Sequence, residues 1–197
     1  FVNWQGWPLG GSPARWFLHD AQRALDVLAG RPEVDPARIG VTGSSGGGSL
    51  TCSLMMSDPR VAAAAPATWL SGLREYARAG GALDSEETWP AADGLVLDHE
   101  DALFAFAPRP VVVLAARSDF FPIEGTRRTI ARARRAWEIL GNAGDLELFE
   151  DDAFHSFTSP MARTATAFFC RHLLGHEHAP EARPLSVLKP ARLRCRN

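Results

Sequence analysis

Three residues that together can make a serine reactive stand far apart in this chain: Ser45, Asp119 and His155. A serine hydroxyl is a weak nucleophile until an imidazole takes its proton. A carboxylate in turn holds that imidazole in the useful tautomer and stabilises its cation. Ser45 lies in Gly43-Ser44-Ser45-Gly46-Gly47-Gly48, between the apolar runs Ile39 to Val41 and Leu50 to Met56. Within that window only Ser45 has glycine both two residues before and two residues after it. At a strand-to-helix junction this spacing strains the serine into a sharp turn with its hydroxyl exposed, and the N–H of Gly46 becomes a donor for an oxyanion. The same glycines also fit a plain turn or a phosphate loop, but the Lys-Ser/Thr ending of a Walker loop is missing.

Positioning three such groups requires elements that deliver them to one place. Ser12-Pro13 is a helix start, and Phe17, Ala21, Ala24, Leu25 and Leu28 recur at helical spacing up to about Ala29. Arg38 to Thr42 reads as the first strand, running into the elbow and its helix. Val61 to Ala65 is a short buried strand ending at Pro66, and Val111 to Ala116 is the clearest strand of the chain. Gly125 to Leu140 is a helix with Ile130, Ala133, Trp137 and Leu140 on one face; Leu146 to Phe149 is the last strand and Met161 to Leu174 the last helix. Strands alternating with helices predict an α/β fold, a mostly parallel sheet with helices on both faces.

Residues just past the carboxyl ends of such strands are where ligands bind. Ser45 follows the first strand, Asp119 follows the third within Arg117-Ser118-Asp119-Phe120-Phe121-Pro122, and His155 follows the last within Glu150 to Phe157. Each has a plainer reading: Asp119 as a cap for the turn before Pro122, His155 as a satisfied, partly buried histidine. Asp151 and Asp152 also carry carboxylates, but lie too near His155 in sequence to be its usual partner.

Composition bounds the rest. The 197 residues are 46% hydrophobic, enough for one globular domain with a core, expected over 1–175 with a tail at 176–197. Residues 67–109, with Trp69, Tyr76, Gly80-Gly81 and Trp89-Pro90, form a long excursion that reads as a lid or pocket wall, with helical turns near 70–78 and 99–106. A formal net charge of −2 favours neither nucleic acid nor an anionic membrane, and no apolar run is long enough to span a bilayer. Cys52, Cys170 and Cys195 are scattered, so neither a disulfide framework nor a metal-ligand spacing emerges, and Cys52 reads as a small buried apolar residue. His172, His176 and His178 with Glu177 have spacing that suits a metal, but read better as the end of the last helix. Arg127, Arg128, Arg132, Arg134 and Arg135 read as the solvated face of their helix. No metal or other cofactor is expected. The opening segment, with Trp4 and Trp7, reads as a loop with aromatic anchors.

The order serine, acid, histidine is that of the α/β-hydrolase triad. The stretch Arg31-Pro32-Glu33-Val34-Asp35-Pro36-Ala37-Arg38-Ile39-Gly40-Val41 leading into the elbow resembles bacterial α/β-hydrolases of the acetyl xylan esterase-like group. So do Ala107-Pro108-Arg109-Pro110, Asp119 to Gly125 and the His155 loop, together spanning roughly residues 15 to 175. The resemblance implies Ser45 as nucleophile, Asp119 as acid, His155 as base and a carboxylic ester, small or carbohydrate, as substrate. It is compatible with a secreted or periplasmic setting. Ser44 departs from the cysteine common before the nucleophile in that group, and Asp84-Ser85-Glu86-Glu87 from a pattern usually ending in glutamine. Four strands are few for this class, and the chain opens on Phe1, so earlier strands and the second oxyanion donor are expected to precede residue 1. On that expectation the 197 residues alone are poorly active, and the tail from Pro184 to Arg194 resembles a linker. Trp69, Trp89 and Phe120 are candidates for an acyl or sugar pocket, though as large loop aromatics they fit a core equally well. A peptidase of the oligopeptidase type shares the elbow, and a non-catalytic hydrolase-fold segment shares the fold.

Overall fold

A hydroxyl before a proline starts a helix because it satisfies an N–H that the helix itself leaves unpaired. The computed structural model describes residues 11–89, 97–176 and 188–193. There Ser12 caps α1 (Pro13–Ala29), its hydroxyl accepting from the N–H of Ala14 at 3.2 Å. The opening aromatic segment, Pro90 and most of the tail, including Glu177, His178 and Cys195, lie outside the described residues.

The inward face of α1 is rotated from the expected one. Ala14, Leu18, Ala21, Leu25 and Ala29 turn to the core, while Phe17, Ala24 and Leu28 stay exposed. Alanines on the contact side let α1 lie close to its neighbour, and the bulkier Phe17 is left to wall a surface cavity.

The remaining elements follow as β1 (Ile39–Ser44), α2 (Gly46–Ser57), β2 (Val61–Ala67), α3 (Leu73–Arg78), α4 (His99–Phe106), β3 (Val111–Ala116), α5 (Ile123–Ile139), β4 (Leu146–Asp151) and α6 (Ser159–Leu174). The strands form one parallel sheet in the order β1-β2-β3-β4. Alternate side chains of each strand feed opposite faces. Val111 and Val113 join Leu25, Cys52, Met55, Leu103, Ile130 and Trp137 in the core under α1, α2, α4 and α5. Val112, Leu114 and Ala116 meet Met161, Ala165 and Phe168 of α6 on the other face. The expected sheet with helices on both faces is what forms, and Cys52 is fully buried in it.

Two boundaries move. The strand expected to stop at Pro66 continues to Ala67. Pro66 has no N–H to give, yet its neighbours carry the pairing with β3: Ala64 N donates to Pro110 O at 3.0 Å and Thr68 N to Leu114 O at 2.8 Å. Leu140, expected on the inward face of α5, is 51% exposed. The helix has already ended at Ile139, and Gly141 turns the chain away at φ 81°. Among the described residues of the excursion from 67 to 109, its start and one side of α4, with Ala102, Leu103 and Phe106, are buried, while the stretch from Ala77 to Gly80 is exposed. Ala79, Gly80, Gly81 and Glu86 of the excursion line cavities.

Candidate active site

At the carboxyl end of β1 the chain must reverse within one residue to begin α2. Ser45 makes that reversal at φ 59° and ψ −122°, a conformation that side-chain-bearing residues rarely adopt. Strain of this kind costs on the order of 1–3 kcal/mol and persists only where its surroundings over-determine it. The surroundings here are specific. A Cβ on Gly43 would overlap the carbonyl of Gly47, and one on Gly48 would meet Ala67 O at 2.5 Å. At Gly47 a Cβ would find nothing within 4 Å, so close packing rests on Gly43 and Gly48, while Gly47 contributes only its backbone.

The N–H of Ser45 donates to Ala67 O at 3.0 Å and also to Thr68 Oγ1 at 3.1 Å. Ser44 Oγ and Thr68 Oγ1 share a hydrogen bond of 2.7 Å. Gly46 and Gly47 open α2, and their N–H groups, which a helix leaves without internal acceptors, mark an electropositive end beside Ser45.

Past the ends of β3 and β4 the chain keeps pairing. Arg117 N donates to Asp151 O at 2.9 Å and Ser118 N to Ala153 O at 3.0 Å, which brings the Asp119 and His155 loops alongside. His155 Nδ1 lies 2.9 Å from Asp119 Oδ1 and 3.0 Å from Oδ2. An ionised carboxylate can only accept, so against one it is Nδ1 that must donate. The Asp119 side chain is 1% exposed and that of His155 26%, so the carboxylate is held inside and the imidazole reaches the surface. Asp119 Oδ1 also accepts from Phe121 N at 3.1 Å, so the turn-cap role expected as an alternative exists together with the histidine contact. Asp151, one of the two carboxylates near His155 in sequence, accepts instead from the Thr158 hydroxyl that caps α6. Among the described residues no hydrogen bond joins Ser45 Oγ to His155.

Two hollows border these groups. One of about 310 Å³ is lined by Ala14, Phe17, Gly46, Gly47, Leu50, Ser53 and Glu86. Another, of about 370 Å³, is walled by Gly80, Gly81, Arg117, Asp119, Phe120 and Ile123 among others. Phe120 is 54% exposed with its ring centroid 4.2 Å from that of His155, in keeping with a wall residue. Trp69 is not at a wall. It is 1% exposed, stacked on His99 at 3.9 Å and set 5.0 Å from Trp89, because burying an indole in an aromatic stack removes far more apolar surface than lining an open cleft would. Trp89 is half-buried behind the first hollow, its Nε1 donating to Ser53 Oγ at 3.0 Å.

Buried ionisable groups support this edge. His99 Nδ1 accepts from the N–H groups of Ser71 and Gly72 at 3.1 and 3.2 Å, and burial pushes its pKa down to about 4, so it is neutral. Glu87 is buried and held above the ordinary carboxylate range, chiefly by that burial; the N–H of Asp84, which donates to it, opposes the rise, and the charges of Asp84 and Glu86 add to it. Sequence reasoning missed Thr68 and Glu86. Thr68, three residues past Ala65 as Asp119 is past Ala116, lies within reach of the same strand-end rule, but a threonine hydroxyl is a weaker signal there than a carboxylate or an imidazole. His172, half-buried against Phe168 at 4.4 Å, belongs to the packing of α6.

A parallel sheet whose strand ends gather a serine elbow, a buried acid and a histidine is the α/β-hydrolase fold. The chain resembles the acetyl xylan esterase-like branch of that superfamily: residues 15–89 match the family model for acetyl xylan esterase (AXE1). A search of curated proteins returns no match. Among solved structures, the carbohydrate esterase family 15 (CE15) glucuronoyl esterase from Caldicellulosiruptor kristjansonii aligns at a TM-score of 0.66 and 21% identity, over 88% of this chain and 54% of its own. The glucuronoyl esterase catalytic domain from Hypocrea jecorina aligns at 0.67 and 21%, over 86% and 54%. A glucuronoyl esterase from Sporotrichum thermophile, in complex with methyl 4-O-methyl-beta-D-glucopyranuronate, aligns at 0.66 and 18%, over 89% and 57%. The chain thus spans about half the length of these structures.

Proposed function

We propose that this chain carries the reactive residues of a serine hydrolase that cleaves carboxylic esters of carbohydrates. The carrying observation is the His155–Asp119 contact, with Nδ1 turned to both carboxylate oxygens and Nε2 left as an acceptor at the edge where Ser45 is strained outward. In this reading Ser45 Oγ attacks the ester carbonyl as His155 Nε2 takes its proton. The N–H of Gly46 stabilises the oxyanion, one donor of this kind being worth roughly 2.7–4 kcal/mol in the transition state. The tetrahedral intermediate collapses, His155 returns the proton to the departing alcohol, and an acyl-Ser45 forms. Water, deprotonated by the same nitrogen, then releases the acid. Phe120 and the hollow beside Gly46 supply contact for the two sides of the ester, with Trp89 supporting that hollow from behind.

The acetyl xylan esterase match and the carbohydrate esterases among the structural neighbours support an ester over a peptide amide. The test is labelling of the full-length protein by a fluorophosphonate probe, run beside hydrolysis of acetylated xylo-oligosaccharides, methyl glucuronate esters and peptide amides. Labelling that vanishes in Ser45→Ala, with ester turnover exceeding amide turnover, is expected. A wild-type protein that neither labels nor turns over any of these esters sinks the reading.

A further inference from the structure

The strained serine is held from a place the elbow motif does not include. Thr68 follows β2 directly and is 3% exposed, at φ 47°, the second non-glycine residue at positive φ among the described residues. A β-branched residue is seldom found there, since its Cβ crowds the backbone. Its own N–H is tied to Leu114 O of β3 at 2.8 Å, so its position is fixed by the middle of the sheet and not by the elbow. From that anchor its hydroxyl reaches Ser45 N at 3.1 Å and Ser44 Oγ at 2.7 Å.

We propose that Thr68 is a positioning residue for the nucleophile: its hydroxyl, braced against β3, holds the backbone of Ser44 and Ser45 in the conformation that exposes Ser45 Oγ. The inference rests on the reading of Ser45 as the nucleophile. The N–H of Ser45 is divided between Ala67 O and Thr68 Oγ1, so it points back into the sheet. That leaves the neighbouring N–H of Gly46 to face the substrate side. Without Oγ1, Ser44 loses the one partner that its hydroxyl has among the described residues, and Ser45 keeps only half of its anchorage. The elbow is then held at the β2 side by the Ser45 N–H bond to Ala67 O alone, and its dihedral angles have more room to relax.

Three versions of the full-length protein test this: wild type, Thr68→Val, which keeps the β-branched shape and removes the hydroxyl, and Thr68→Ser, which restores the hydroxyl alone. The readouts are the fluorophosphonate labelling rate, kcat and KM on an aryl acetate, and thermal melting. Labelling and kcat are expected to fall about tenfold in Thr68→Val, as when one hydrogen bond orienting a reactive group is lost. KM should stay within about twofold, melting should move by only a few degrees, and Thr68→Ser should recover most of the rate. Wild type and Thr68→Val labelling at equal rates, while Ser45→Ala does not label, overturns the proposal alone. Labelling lost in both Thr68 variants in step with their melting temperatures also overturns it, since that marks a purely structural role. A wild type that does not label overturns the nucleophile reading, and this proposal with it.

Discussion

Replacing Asp119 by asparagine separates the two roles this carboxylate fills. Its Oδ1 accepts the N–H of Phe121 at 3.1 Å, and both oxygens face His155 Nδ1 at 2.9 and 3.0 Å. Asparagine keeps an acceptor for Phe121 and nearly the same shape, so the turn survives and stability should change by about 1 kcal/mol or less. What disappears is the negative charge beside an imidazole that becomes cationic in the transition state. With charge centres about 4 Å apart and an effective dielectric constant of about 20, that attraction is about 4 kcal/mol, or about a thousandfold in rate. The tautomer adds to this: an amide can donate to Nδ1 and drive the proton to Nε2, where it blocks the base. In serine proteases the same exchange costs about 10⁴ in kcat. The assay is kcat/KM on an aryl acetate by the full-length protein, with circular dichroism melting alongside. A thousandfold loss or more with little change in melting is expected. An Asp119→Asn protein that keeps more than about a tenth of wild-type activity refutes the reasoning and leaves Asp119 as a turn cap.

Other outcomes follow from the same geometry. His99 is neutral in the folded protein at a pKa of about 4 against an ordinary value near 6.5. The unfolded chain therefore binds the extra proton first, and stability falls as pH drops from about 6.5 towards 4, by about 3 kcal/mol in all. His99→Gln, whose side-chain oxygen can still accept from Ser71 and Gly72, should flatten that slope in urea titrations between pH 7 and 4.5, and an unchanged slope removes His99 as its source. Gly43→Ala should lower unfolding stability by about 2 kcal/mol or more, because its methyl would overlap the backbone of Gly47. Gly47→Ala, with open space at its Cβ, should be neutral or stabilising in the same measurement. Phe120→Ala should raise KM about three- to tenfold for an ester of a bulky alcohol and within about twofold for a methyl ester, and equal effects on both count against a wall role.

The site was legible to the extent that it depends on where strands end. Hydrophobic runs mark strands locally, and the residue after a parallel strand is carried to the ligand-binding edge whatever the rest of the chain does. Asp119 and His155 came from that rule, and the spacing of glycines around Ser45 supplied the third position. Thr68 lies as near its strand end as Asp119 does, and what hides it is its residue type, a hydroxyl that carries no charge; the end of β2 itself moves because Pro66 looks like a terminator. An interior strand can forgo one N–H when the residues on either side, here Ala64 and Thr68, keep the pairing with β3.

What the sequence could not resolve is whatever depends on a partner from another element. The helical period of α1 was right, yet Phe17 faces outward, since periodicity gives a stripe and not the direction in which it is buried, while in α5 the expected face is buried up to Trp137 and Leu140 lies past the helix end. Trp69 and Phe120 look alike as aromatic loop residues, and only the presence of His99 and Trp89 in the folded core assigns one to an indole stack and leaves the other beside His155. The elbow glycines make the same point within one motif. Gly43 and Gly48 face the backbone of Gly47 and Ala67, and Gly47 faces open space. The motif's spacing therefore encodes two separate demands, a close approach of strand and helix and a strained serine. Thr68, outside the motif, is tied to the second of these by its bond to the Ser45 N–H.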